Sequence, residues 1–116
     1  MHEQLYPGAS KDLAQKRSQL APQVSAAFKA FGAAVFADGA LPRKTKELIA
    51  VAAAHVTQCP YCIRGHTESA LKAGATEQEV MEAIWVAAEM RAGAAYAHSL
   101  LALETMNRHD AVHPGG

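Results

Sequence analysis

Alanine decides most of what this chain can become. Nearly every stretch between glycine and proline is alanine-rich, with apolar residues returning close to every 3.6 positions. No stretch alternates as a half-buried strand would, so the sequence predicts an all-α fold. At 116 residues that fold is one small domain with a core of its own. Half of the residues are hydrophobic, but alanine supplies much of that share and only seven side chains are aromatic. Helices of this kind pack through small residues and leave apolar strips uncovered. A compact helical bundle that self-associates is the expectation.

Punctuation divides the chain. Residues 1–9, with Pro7-Gly8, read as a loose arm ahead of a single domain over 10–108. A first helical region spans about Ser10 to Phe36, with Ala21-Pro22 as the place for an interruption. Its second part carries Val24, Phe28, Phe31, Ala34 and Val35 on one side, and Asp38-Gly39 ends it. Pro42 suits the first turn of the next helix, where its missing N–H costs nothing. That helix runs to about Thr57 and holds Leu48, Ile49, Val51, Ala52 and Val56. Pro60 starts a third helix reaching Lys72, with Gly74 as its stop. Thr76 and Glu79 form a capping box that opens a last helix to about Asn107. Val80, Ile84, Ala87, Ala88, Arg91 and Ala95 share one face of it, and Gly93 is a point where it can bend or break. Residues 109–116 read as a disordered tail.

Several function classes are excluded early. Lysine plus arginine equals aspartate plus glutamate, so the formal net charge is zero. Nothing there attracts nucleic acid or an anionic membrane. The longest strongly apolar stretch, Leu48 to Val56, is about nine residues and too short to cross a bilayer. Met1-His2-Glu3-Gln4 has no basic-then-apolar leader pattern, and the expected location is the cytoplasm. A close cysteine pair in that reducing compartment points to redox or metal chemistry before a structural staple.

The only two cysteines stand in Cys59-Pro60-Tyr61-Cys62, and His66 follows four residues after the second. With Cys59 at a helix N-cap and Pro60 at the first helical position, Cys62 falls in the first turn. Unpaired backbone N–H groups and the helix dipole favour a thiolate there. Helical positions three apart have β-carbons about 5–6 Å apart, slightly wide for a disulfide, but a cap residue can adjust. His66 lies on the same face as Cys62. It can accept the thiol proton or, as imidazolium, stabilise the thiolate. A redox centre is the first reading. Zinc bound by two thiolates and a histidine is a rival, although a closed site needs a fourth ligand. Buried inert thiols are another.

From about Phe28 to Ser99 the chain resembles the carboxymuconolactone decarboxylase superfamily, and more closely its AhpD-like alkylhydroperoxidase branch. The resemblance rests on Lys46-Glu47-Leu48-Ile49-Ala50, on Cys59-Pro60-Tyr61-Cys62-Ile63 with His66, on the Ala73-Gly74-Ala75-Thr76 turn, and on Glu79-Val80-Met81-Glu82-Ala83. It implies a small all-helical protein that assembles into trimers or hexamers and uses no cofactor. It further implies that Cys62 is the peroxidatic nucleophile, that Cys59 donates a proton and resolves the sulfenic acid as a disulfide, and that Glu47 and His66 relay protons. The implied oxidant is a hydroperoxide, and the implied reductant is a lipoylated or thioredoxin-like dithiol. AhpD proper carries a histidine directly before its second cysteine, where this chain has Tyr61. A phenol keeps its proton near neutrality, so Tyr61 is expected to donate a hydrogen bond rather than exchange protons. A cofactor-free lactone decarboxylase using His66 and Glu47 is the alternative activity, and a metal-binding structural module is a third.

Taken alone, Glu47 reads as the partner of Arg43 in a surface pair at i, i+4. In a straight helix it would lie about 18 Å along the axis from Cys59, so a relay needs the chain to turn near Gln58–Pro60. Arg64, beside the motif, could raise thiolate character or meet an acidic partner. His55, His98 and His109 have no evident partner. Trp85, Tyr96, Met81 and Met90 sit at helical spacing and are expected to build core or subunit contacts.

Overall fold

The computed structural model describes Gly8 and residues 10–115. Most of the expected loose arm therefore lies outside the described residues. Five helices appear among them: α1 Lys11–Leu20, α2 Pro22–Phe36, α3 Arg43–Thr57, α4 Pro60–Lys72 and α5 Glu77–Val112. No strand occurs among them, as the alanine-rich periodicity implies.

Local chemistry sets each boundary. Ser10 caps α1, accepting from the Leu13 N–H at 3.2 Å. Pro22 cannot continue that helix, so Ala21 swings out to φ −147°, ψ 70° and Pro22 starts α2 afresh. Pro42 does not enter the first turn of α3. It takes the extended cap position at ψ 157°, one residue earlier than its sequence suggests. Its ring offers no cap oxygen, and Asp38 Oδ1 accepts from the Arg43 N–H at 2.7 Å instead.

α3 is the central element, packed against both α4 and the first part of α5. Val51, Ala70, Ala75 and Val80 form the core where the three meet, with Leu48 and Ile84 packed onto it. Burial then thins out. α1 and α2 bury no residue, and beyond Gly93 every described residue is exposed. The bundle is compact only around α3, because α2 and the far half of α5 project from it.

α5 passes through Gly93 without a break and continues to Val112. The tail expected to be disordered from His109 is thus helical over its first residues, and the His109 and His113 rings approach to 4.6 Å. Trp85, Tyr96, Met81 and Met90 do not build the core of the chain. They are between half and four-fifths exposed. Among the described residues, no helix is long and apolar enough to cross a membrane.

Candidate functional site

The site begins at the end of α3, where the chain reverses. Gln58 adopts left-handed geometry at φ 58°, ψ 47°, and its N–H returns to the Ala54 carbonyl. The Cys59 N–H bonds the same carbonyl at 3.1 Å. Two donors on one carbonyl close the helix C-terminus and turn the chain sharply, so that α4 runs back along α3. Arg91 of α5 donates to the exposed Val56 carbonyl at 2.8 Å, holding the reversal from a third element.

Cys59 is the N-cap of α4 and Pro60 its first residue, as the spacing predicts. The Cys59 sulfur accepts from the Cys62 N–H at 3.2 Å. Cys59 and Cys62 are joined as a disulfide, with their Cα atoms 5.2 Å apart. That separation lies within the ordinary range for a disulfide, and Cys59 is extended rather than helical, at φ −99° and ψ 105°. Both cysteines are half-buried.

One turn on, His66 Nδ1 lies 2.8 Å from Glu47 Oε2. An ionised carboxylate can only accept, so Nδ1 carries the proton and donates it. Nε2 then holds the free lone pair, as a general base requires. Glu47 is no surface partner of Arg43. It is 2 % exposed, and Arg43 Nε reaches Oε1 only at 4.0 Å. The reversal at Gln58 brings Glu47 and His66 together, folding away the axial distance along α3. Phe36, the last residue of α2, stacks on the His66 ring with centroids 5.0 Å apart and planes 25° apart.

Other candidates fall elsewhere. Tyr61, between the cysteines, is 40 % exposed. Arg64 points outward as an exposed residue beside the motif. His55 Nδ1 bonds the Val51 carbonyl of its own helix at 2.7 Å. His98 is exposed on the projecting half of α5. Among the described residues no three His, Cys, Asp or Glu side chains group as metal ligands would. Three supporting residues have no role assigned from the sequence: Phe36, Lys46 and Arg91. Lys46 stands in the family motif beside Glu47, and Arg91 is a cation on the otherwise apolar stripe of α5.

Residues 22–105 match the family described as the carboxymuconolactone decarboxylase family. The chain is 56 % identical over 104 residues to uncharacterized protein 4 in the cox locus of Paracoccus denitrificans, covering 90 % of this chain and 93 % of that one. A crystal structure of a carboxymuconolactone decarboxylase family protein from Legionella pneumophila superposes with a TM-score of 0.64 at 37 % identity, covering 84 % of this chain and 86 % of that one. A family protein from Thermotoga maritima, for which an antioxidative role has been suggested, gives 0.53 at 28 % identity and covers 72 % and 95 %.

Proposed function

The chain belongs to the carboxymuconolactone decarboxylase family, and we propose that within it the protein is a thiol-dependent oxidoreductase that reduces hydroperoxides. The observation that carries this reading is the Glu47–His66 pair at 2.8 Å, set four residues from a cysteine that shares a helix N-terminus with its disulfide partner.

The cycle starts from the dithiol. His66 Nε2 takes the Cys62 proton, and Glu47 stabilises the resulting imidazolium. The Cys62 thiolate attacks the distal oxygen of the hydroperoxide, forming an S–O bond as the O–O bond breaks. The alkoxide leaves as an alcohol with a proton from Cys59 or the imidazolium. The Cys59 thiolate then attacks the sulfenic sulfur, an S–S bond forms, and the oxygen departs as water. Two electrons pass from the two thiols to the peroxide. A lipoylated or thioredoxin-like dithiol returns them by exchange at the disulfide. The cytoplasm supplies the reducing setting for that return, and the role is antioxidant. The working form is a homo-oligomer, a trimer or hexamer.

Cys59→Ser treated with one equivalent of hydroperoxide should trap a sulfenic acid, read by mass spectrometry as a dimedone adduct on Cys62. Cys62→Ser should consume no peroxide. Undiminished consumption by that variant would sink the assignment. A lactone decarboxylation would use the Glu47–His66 pair without the sulfurs, so activity on a lactone retained with both cysteines replaced would place the chemistry there.

A further inference from the structure

The Glu47 hydrogen bond fixes one atom of His66, but it does not fix the plane of the ring. The side chain is 32 % exposed, so burial does not fix it either. The remaining constraint comes from α2. Phe36 lies against one face of the imidazole at 5.0 Å and 25°, an offset-stacked arrangement.

Phe36 is itself held. α2 makes few approaches to α3, and its end would be free to swing without a specific tie. Lys46 provides that tie. Its Nζ donates to the Val35 carbonyl at 2.8 Å and to the Ala37 carbonyl at 2.6 Å, the residues on either side of Phe36. An ammonium suits this place, because the last carbonyls of a helix carry its negative pole. Lys46 is also the residue next to Glu47. One turn of α3 therefore positions both constraints on His66, the acceptor directly and the aromatic ring through α2.

We propose that Phe36, pinned through its neighbours' carbonyls by Lys46, is a positioning residue that sets the imidazole plane of His66 and so aims its free nitrogen for proton transfer. The link to proton transfer from Cys62 rests on the thiol-peroxidase reading above. The positioning itself does not. The role proposed for both residues runs through His66, so substitutions should act through it.

The test uses the full-length reduced protein and three variants. Phe36→Leu keeps an apolar side chain and loses the ring, Phe36→Tyr keeps the ring, and Lys46→Met keeps the aliphatic stem and loses the donors. Carbon relaxation of the isotope-labelled His66 imidazole reports how firmly the ring plane is held, without any oxidant. The parent and Phe36→Tyr should show a rigid ring, and Phe36→Leu and Lys46→Met a more mobile one. Stopped-flow measurement of Cys62 oxidation should show a fall of about tenfold in Phe36→Leu and Lys46→Met, a part of what general acid–base catalysis is worth. Phe36→Tyr should stay within about twofold of the parent. Unchanged His66 ring mobility in both Phe36→Leu and Lys46→Met overturns the proposal, as does a Phe36→Tyr variant as impaired as Phe36→Leu. A parent protein that fails to consume hydroperoxide overturns the redox reading instead, and the ring-mobility measurement then still decides the positioning.

Discussion

Glu47 stands among Arg43, Lys44 and Lys46 in sequence, yet those cations do not leave it at the surface. The reversal after α3 buries its carboxylate, and a buried polar group needs hydrogen-bonding partners. His66 supplies one at hydrogen-bond distance, and Arg43 adds a looser attraction. Lys44 turns instead to Glu79, and Lys46 to the end of α2. Four neighbouring charges thus have four different destinations. Glu47→Gln keeps the shape and can still accept from Nδ1, but an amide cannot stabilise an imidazolium. On the proposed peroxidase reading, its expected outcome is a fold intact by circular dichroism and peroxide turnover lowered by about 10²-fold, the lower end of general acid–base effects. Turnover equal to the parent would overturn the role proposed for Glu47.

At the scale of elements, capped ends place the site. α4 begins on the Cys59 sulfur, and α5 begins on a reciprocal cap. Thr76 Oγ1 accepts from the Glu79 N–H at 3.0 Å, and the Glu79 carboxylate accepts from the Thr76 N–H at 2.9 Å. Lys44 reaches the same carboxylate at 3.0 Å, tying the start of α3 to the start of α5. The Thr76 N–H first, and then the Lys44 ammonium, hold the Glu79 carboxyl below its ordinary value of 4.5. A carboxyl lowered by folding stabilises the fold above its unfolded value, and that contribution disappears as pH falls through the folded value. Part of the acid destabilisation below about pH 4.5 therefore belongs to Glu79. Glu79→Gln should show a shallower decline of melting temperature on acidification than the parent. Parallel declines would refute the assignment.

As a whole molecule, the chain has too little interior for its length. Among the described residues, the buried apolar ones are Val51, Ala54, Ala70, Ala75, Val80 and Ala87. Four of these are alanines, which contribute little area each. The radius of gyration is 21.0 Å, where a compact chain of this length would have about 13 Å. Its accessible surface is 9461 Å², against about 6,100 Å² for a compact monomer of this mass. The excess of roughly 3,000 Å² on one chain is surface that other copies could cover; obligate interfaces bury about 2,000–5,000 Å² counted over both partners. Leu20, Val24, Phe28 and Phe31 are uncovered toward one end, and Trp85, Met90, Tyr96 and Leu100 along α5. The zero formal net charge offers no repulsion between copies. Sedimentation equilibrium should therefore give a multiple of 12.3 kDa, three or six times on the family resemblance, and Leu100→Glu should dissociate the assembly and lower its melting temperature. A well-folded wild-type monomer would refute this.

The sequence by itself determined the helices, their caps and the register of Cys59, Cys62 and His66, because each depends on residues within one or two turns of one another. Proline at 22 and 60, and the Thr76–Glu79 box, act on their own backbone and are legible without a fold. Periodicity could show that Trp85 and Tyr96 occupy an apolar face, but not whether that face meets this chain or another. Glu47 was legible through the family resemblance, while its spacing alone suggested a surface pair with Arg43. Only the tertiary structure decided that Glu47 meets His66 across 19 positions, that Phe36 covers the imidazole, and that Lys46 and Arg91 hold the surrounding backbone. Those contacts arise from the left-handed turn at Gln58 and from the packing of α3 against its neighbours. Spacing along the chain does not encode distances set by such reversals, and for that reason the contacts of Phe36, Lys46 and Arg91 could not be read from it.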